Sequence, residues 1–282
     1  MAAFPSRVTL GKAGLSVGPL GVAGGYGVEE KALLDAFDRG VNYFYHGSLR
    51  CRGMSSAIRS ITRAGRRDDL AVVVQSYSRW GWLLERSFRK GLRELELEYA
   101  DVLLLGLFNS SPPAAIVERA LALQSVGLVR HIAVSAHRRA AFLEHALEPT
   151  FDVLHIRYSA AHPGAEHDVF PKLAATQRPG TVAYTATRWG QLLDAKRMPE
   201  GQTPLRASDC YRFVLSNPDF NVCMTGPRNA EELREALSAL EAGPLSPEEM
   251  LHVRAIGKHV RSQRSLYQKL RAGRGSLLSG NS

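Results

Sequence analysis

The chain has 282 residues, of which 45% are hydrophobic, and it carries a formal net charge of +9 at pH 7. This composition is typical of a globular protein with a sizeable core, and no apolar run approaches the roughly 20 residues that span a bilayer. The three cysteines form no C-x-x-C pair, which argues against a zinc ribbon or a disulfide framework. Because the N-terminal segment lacks the apolar centre of a secretory signal, we expect a cytoplasmic protein that does not associate with membranes.

Eight short apolar segments follow one another along the chain and predict eight buried strands. All but the first, a weaker glycine-rich segment, are rich in Val, Ile, Leu and aromatic residues and do not alternate cleanly with polar residues, which is typical of strands covered on both faces. The segments are residues 17–25, 41–45, 70–74, 101–106, 130–135, 151–156, 181–185 and 220–225.

Amphipathic patterns between these segments predict helices. EEKALLDAFDRG ends at Gly40, a residue type that stops helices, and PPAAIVERALALQSVG begins with prolines and ends with glycine. WLLERSFRKGLREL and NAEELREALSAL keep leucines on one face. Eight strand–helix units predict a single (β/α)8 TIM barrel. The rival architecture, a doubly wound sheet, is disfavoured because no G-x-G-x-x-G follows a strand.

The C-terminal part of the chain is strongly basic. After Glu249 it has seven Lys and Arg residues and no acidic residue, so we expect a basic helical tail, about residues 256–282, behind a core of about residues 7–255. Two interpretations remain open: a solvated helix with a frayed end, or a patch for a phosphate, a nucleic acid or an acidic partner. No nucleic-acid motif accompanies the charge, which disfavours nucleic-acid binding.

The last two strands end in sequences typical of a phosphate site. In a barrel, active sites lie at the carboxyl ends of the strands, and phosphate often binds after strands seven and eight. TGPRN leads directly into a helix, whose N-terminus and Arg228 can hold an anion while Asn229 caps the helix. YTATRWG adds hydroxyl groups, an arginine and a glycine nearby. A capped helix with a surface arginine is the alternative.

Several segments, taken in order, resemble the motifs of one family. RVTLGKAGLSVGPLG resembles R-x-L-G-x-T-G-L-x-V-S, DRGVNYFY resembles G-x-N-x-x-D-T-A, and GLVRHIAVSAH resembles G-K-x-R-x-x-G-V-S-N. TVAYTATRWGQLL and CYRFVLSNPDFNVCMTGPRNAEELREAL are similar to later segments of the same family. The resemblance, which covers roughly residues 7–255, is to the aldo-keto reductases, of which this chain looks like a divergent relative. The resemblance implies an N-terminal β-hairpin that closes the barrel bottom, an NADP(H) cofactor, and a small carbonyl or imine substrate of unknown identity.

The resemblance also implies a set of cofactor contacts. Tyr184 would stack on the nicotinamide ring, and Ser135 would bind the carboxamide. Residues 185–190 would wrap the pyrophosphate, and Arg228 with Asn229 would bind the 2′-phosphate. The full implied set is Ser135, His155, Tyr184, Thr185, Thr187, Arg188, Gly190, Gly226, Arg228 and Asn229. His155 stands where the family has the glutamine of Q-x-x-Y-N. In the last helix of the motif, Glu232 and Ala236 stand where the family has glutamine and asparagine, which weakens the adenine contacts.

The catalytic residues of the family are replaced. The positions of its Asp, Tyr, Lys and His fall on Tyr45, Arg50, Ser76 (or Gln75 if the strand slips by one residue) and Gly106. A different catalytic set therefore has to be considered, consisting of Tyr45, His46 and Arg50. Tyr45 or His46 would act as a general acid, and Arg50 would hold an anion.

Three functions follow from this pattern. The first is an NADP(H)-dependent oxidoreductase with a non-standard catalytic set, whose substrate loops include residues 77–82 and whose pocket wall includes Trp80, Trp82 and Phe108. The second is a non-catalytic binding or regulatory protein with a protein partner or a homo-oligomeric state. The third is a metal enzyme using His46, His137 and His155, which the absence of a metal-binding motif disfavours; no metal ligands are assigned.

Overall fold

The structure is a computed structural model that describes residues 3–47 and 51–278, with side chains to residue 263. A short antiparallel hairpin, β1 (Val8–Thr9) and β2 (Ser16–Val17), precedes eight parallel strands. These strands are β3 (Leu20–Ala23), β4 (Tyr43–His46), β5 (Ala71–Ser76), β6 (Ala100–Leu105), β7 (Val129–Ala136), β8 (Val153–Arg157), β9 (Gly180–Tyr184) and β10 (Val222–Thr225). Because β10 pairs with both β9 and β3, the sheet closes into a barrel, as predicted.

Helices connect the strands on the outside of the barrel. They are α1 (Glu30–Asp38), α2 (Arg52–Arg63), α3 (Gly81–Leu95), α4 (Ala114–Ser125), α5 (Arg139–Leu147), α6 (Ala165–Asp168), α7 (Ala207–Leu215), α8 (Ala230–Ala242) and α9 (Pro247–Leu278). After α1 the chain reverses at Gly40, which has a φ of +97° that side chains disfavour. Predicted helix boundaries agree with these to within a few residues, and the basic tail is part of the long helix α9.

Side chains divide into two buried groups because they alternate along each strand. One group fills the barrel interior and includes Tyr43, Val73, Leu104 and Val182. The other, larger group lies between the strands and the helices. None of the described helices combines the length and apolar character needed to cross a bilayer.

The hairpin closes the lower end of the barrel. Leu10 has no exposed surface and belongs to the interior group. The loop approaches β9 so closely that a Cβ on Gly11 would lie 2.2 Å from the Gly180 nitrogen, and a Cβ on Gly180 would lie 2.7 Å from Leu10. The hairpin predicted from the resemblance therefore serves as a plug, with Leu10 as its central side chain.

Replacing Leu10 with alanine should destabilise the barrel by about 2–5 kcal/mol, since a fully buried leucine leaves a cavity. Urea unfolding followed by tryptophan fluorescence would measure the loss. The matched control is Leu251→Ala, at a leucine with 71% exposure, where a change within about 0.5 kcal/mol is expected. Equal effects of the two substitutions would show that Leu10 does not support the barrel.

Candidate functional site

A cavity of about 1280 Å³ opens at the carboxyl ends of the barrel strands and continues to the N-terminus of α8. Its floor consists of side chains that point inward from the strand ends. These floor residues are Tyr45, Gln75, Ser135, His155 and Tyr184. The strand register brings these side chains to the same end of the barrel. Tyr45 pairs with Val73, so Tyr45 and Gln75, which is two residues beyond Val73, point to the same side of the sheet. Ser135 pairs directly with His155. The cavity therefore lies where barrel enzymes hold their reactants.

Tyr45 reaches the cavity, but its environment disfavours ionisation. Burial is the main cause that raises the pKa of its phenol, and a nearby Tyr77, through its charge and a hydrogen bond, raises the pKa further. A general acid near neutral pH needs a pKa close to the working pH. Tyr45 therefore stays protonated and can donate a hydrogen bond, while proton transfer from it is costly.

The other two predicted catalytic residues are His46 and Arg50, and only His46 lies within the described structure. His46 follows Tyr45 on the strand, so alternation turns its ring away from the cavity and toward α2. Its Nε2 atom lies 3.0 Å from the Ser55 hydroxyl, and burial lowers its pKa. This position is not compatible with the general-acid role expected for His46, because its ring does not line the cavity. Arg50 lies outside the described residues.

Gln75, and not Ser76, faces the cavity at the end of β5. The Ser76 side chain is 6% exposed and accepts a hydrogen bond from the Ser78 backbone N–H at 3.2 Å. Of the two residues that the sequence left open for the lysine position, Ser76 and Gln75, it is Gln75 that faces the cavity. A neutral amide stands at the strand end where the resemblance implies a lysine.

Tyr77 is a site residue that the sequence indicated only as part of a loop. Its ring lies against Gly106, where a Cβ would be 2.4 Å from the ring atom Cδ1. The Arg79 guanidinium fixes this loop by donating to the carbonyl oxygens of Gly106 at 3.0 Å and Leu107 at 3.1 Å. Only a residue without a side chain leaves room for the phenol ring here. Glycine at position 106 was the signal that could have located Tyr77.

The aromatic residues predicted as a pocket wall do not form one. Trp80 and Trp82 are each 62% exposed and do not line the cavity. Phe108 is buried, with the Arg79 guanidinium 4.2 Å from its ring centroid. Trp80 precedes the first residue of α3 and Trp82 is its second residue, and both side chains are exposed to solvent. Tyr77, in contrast, directly follows the last residue of β5.

Hydrogen bonds hold three of the predicted cofactor contacts in place. The Ser135 hydroxyl accepts from the Leu107 backbone N–H at 3.0 Å, and its own proton can still be donated. The Tyr184 hydroxyl donates to the Ala136 carbonyl at 2.9 Å. His155 Nε2 lies 2.9 Å from the Tyr43 hydroxyl, and complete burial lowers the His155 pKa to about 3. These groups are rigid and uncharged at neutral pH.

The turn after β9 brings part of the predicted pyrophosphate segment to the cavity. Thr185, Thr187 and Gly190 line it, whereas Arg188 is 2% exposed and does not. Arg188 and Trp189 both adopt left-handed φ values, near +53° and +52°. This turn directs the arginine into the protein and the tryptophan outward. The predicted contact of Arg188 with the pyrophosphate is therefore not compatible with its position here.

The outer end of the cavity is formed by the start of α8. Gly226, Arg228 and Asn229 line it, and the Asn229 side chain accepts from the Glu232 backbone N–H at 2.9 Å, which makes Asn229 the N-cap. Arg228 is well exposed, yet its guanidinium bonds to the Glu232 carboxylate at 2.5 and 2.8 Å. Arg228 holds the pKa of Glu232 below its usual range.

More carboxylates stand at this outer end. Glu231 and Glu235 also line it, and Glu235 is bound by Arg206 at 2.9 Å and by the Ser208 hydroxyl at 2.8 Å. Three acidic side chains and two arginines, Arg228 and Arg234, therefore share the space. An incoming phosphate would compete with Glu232 for Arg228.

The three histidines considered as metal ligands do not form a common site. His46 bonds to Ser55, His155 bonds to Tyr43, and His137 lies at the rim, where its ring stacks with Tyr184 at 6.4 Å. Within residues 3–47 and 51–278, no group of three His, Cys, Asp or Glu side chains is arranged to hold a metal ion.

No family model matches the sequence, and no curated protein matches it. Solved structures do match. An aldo-keto reductase from Bacillus halodurans in its holo form gives a TM-score of 0.72 at 18% identity, over 89% of this chain and 95% of that chain. An aldo/keto reductase from Klebsiella pneumoniae in complex with NADP and acetate gives a TM-score of 0.72 at 20% identity, over 90% and 95%.

A closed parallel barrel with an N-terminal hairpin and a cavity at its strand ends thus defines the class of this protein. Its fold is that of the aldo-keto reductases. The fold expected from the sequence resemblance is confirmed.

The buried His155 should make stability depend on pH. Its folded pKa of about 3 is below the ordinary value of 6.5, so between these values the unfolded chain binds a proton that the folded chain does not. Stability should therefore fall as the pH drops below 6.5, by at most about 1.4 kcal/mol per pH unit from this group.

Urea unfolding at several pH values from about 5 to 7 would measure this slope. His155→Gln should make the slope shallower, because glutamine does not titrate. The exposed His252 offers the control, since His252→Gln should leave the slope as it is in the wild type. An unchanged slope in His155→Gln would mean that His155 is not the titrating group.

Proposed function

We propose that this protein is an NADP(H)-dependent oxidoreductase that acts on a carbonyl or imine substrate with a non-standard catalytic set. One observation carries the proposal: a single cavity joins Ser135 and Tyr184 on the floor to Arg228 and Asn229 at the start of α8. Both ends offer groups suited to a dinucleotide. The solved neighbour from Klebsiella pneumoniae is described as a complex with NADP, which agrees with this use of the fold.

The donor set fits a nicotinamide dinucleotide. The Ser135 hydroxyl suits the carboxamide, the flat ring of Tyr184 suits the nicotinamide ring, and the helix N-terminus with Arg228 suits a phosphate. When bound, the cofactor supplies a hydride for transfer. The residues of this chain would orient it, and Tyr45 and Gln75 would contact the substrate as neutral hydrogen-bonding groups.

The Arg228–Glu232 pair controls the phosphate end. Arginine favours a 2′-phosphate because it pairs with the added charge, but here Glu232 already occupies the guanidinium. A 2′-phosphate must therefore displace the Glu232 carboxylate. We expect NADPH to bind in preference to NADH, with a selectivity reduced by this competition.

A non-catalytic binding protein, with a protein partner or a homo-oligomeric state, is the second candidate. One observation favours it: the described positions of the family's catalytic residues hold Tyr45, Gln75 and Gly106, and the Tyr45 phenol resists ionisation. Dinucleotide binding without turnover of any carbonyl or iminium substrate would support this candidate over the first.

Titration with NADPH and NADH, followed by ligand fluorescence or heat, tests the cofactor assignment. Arg228→Ala should weaken NADPH about tenfold or more and leave NADH nearly unchanged, since the charged contact involves the 2′-phosphate alone. Glu232→Gln should have the opposite effect and tighten NADPH, because it removes the competing carboxylate.

The control for these variants is Arg39→Ala. Arg39 also forms an exposed ion pair, with Glu241, but it does not line the cavity. It should bind both cofactors as the wild type does. Equal weakening of NADPH and NADH by Arg228→Ala would contradict the phosphate role, and no binding of either cofactor by the wild type would contradict the proposed function.

A further inference from the structure

The substrate end of the cavity is walled by aromatic rings. Apart from Tyr211, which lies beside Glu232 and Glu235 at the α8 end, the Tyr and Trp rings that line the cavity are Tyr26, Tyr45, Tyr77, Tyr184 and Trp189. Tyr26, Tyr77 and Trp189 are each more than half exposed in the described structure, so they stand at the mouth. Aromatic faces attract positive charge through the ring quadrupole, most strongly where water is excluded.

Two of these rings are held by contact with glycine. Tyr77 lies on Gly106, as described above, and Tyr26 lies on Gly226, where a Cβ would be 2.7 Å from the ring atom Cε2. The Arg79 clamp on the Gly106 carbonyl also holds the Tyr77 backbone oxygen at 3.2 Å. The rings are therefore placed by the backbone and do not hang loosely into the opening.

The described floor carries no positive charge of its own. Gln75 is neutral, and burial lowers the pKa of both His155 and His137. The arginines that line the cavity, Arg228 and Arg234, belong to the α8 end. At the mouth, one cation already lies against a ring: the Arg157 guanidinium is 4.9 Å from the Trp189 centroid.

The described floor also lacks a ready proton donor. Hydride addition to a neutral carbonyl creates an alkoxide, which must receive a proton in the site. Tyr45 is the phenol placed to give it, and its burial opposes the resulting phenolate. Hydride addition to an iminium carbon needs no proton, because the electrons of the C=N bond return to nitrogen and the product amine is neutral.

Building on the proposed function, we propose that the hydride acceptor is a preformed iminium cation held against the rings of Tyr26, Tyr45 and Tyr77. In this step a C–H bond forms at the iminium carbon and the C=N π bond becomes the nitrogen lone pair. The dihydronicotinamide loses the hydride and is oxidised to the pyridinium. Two electrons pass, charge balances, and no proton is exchanged with the protein.

The test compares two probes of one shape, the 2-methyl-3,4-dihydroisoquinolinium ion and 1-tetralone, with NADPH as reductant. Each rate is divided by the rate without protein, which corrects for the greater reactivity of the cation. The iminium should show an enhancement at least about a hundredfold larger than the ketone, since proton transfer contributes roughly 10²–10⁴ in carbonyl reduction. Its rate should not vary between about pH 6 and 8.

Variants of the ring wall separate charge recognition from a general effect on folding. Tyr77→Leu should raise KM for the iminium roughly fivefold or more, while Tyr77→Phe, which keeps the ring, should stay near the wild type. The control is Trp82→Leu, at an exposed tryptophan outside the cavity lining, and it should leave KM unchanged.

The outcomes distinguish the two proposals. If neither NADPH nor NADH binds in titration, the proposed function fails and this inference fails with it. If NADPH binds but the ketone is accelerated as much as the iminium, or the iminium is not reduced, the inference alone is overturned. An unchanged KM in Tyr77→Leu would also overturn the assignment of the ring wall.

Discussion

The two-residue alternation of side chains along parallel strands is the constraint on which the site depends. It sends Tyr45 into the cavity and His46 toward α2, and it sends Gln75 inward and Ser76 outward. In each pair of neighbouring polar residues, one side chain therefore lines the cavity and the other packs against the surrounding structure. Because this alternation has a period of two, a shift of one residue in any barrel strand would exchange its inner and outer faces.

The side chains at the strand ends form a consistent chemical environment. The lysine and histidine that the resemblance implies there would bring positive charge and a proton relay, whereas Gln75 and Gly106 bring neither, and Gly106 makes room for the Tyr77 ring. Burial then keeps Tyr45 protonated and His155 neutral. The result is a polar but uncharged floor with aromatic walls, beside an outer end where Glu232 already pairs with Arg228.

The sequence was sufficient for the strands, the barrel and the capping role of Asn229, because these follow from local pattern. The direction of side chains in the irregular segments could not be predicted from the sequence in the same way. The position of Arg188 depends on left-handed backbone angles at three consecutive residues, Arg188, Trp189 and Gly190. Hydrophobic periodicity in the sequence does not predict such angles. The position of the Tyr77 ring depends on a contact with Gly106 at the end of the neighbouring strand. The glycine is visible in the sequence, but the ring that fills the space beside it is not.

The plug at the barrel bottom has a consequence for how the chain folds. Gly11 forms a β-bridge with Pro179, and Leu20 pairs with Cys223. The hairpin and β3 therefore make their contacts with β9 and β10, which come much later in the chain. Native closure must wait until β10 has left the ribosome, and contacts this distant in sequence slow folding. Until then Leu10 lacks part of the interior group that buries it, and apolar surface exposed in this way favours aggregation during folding.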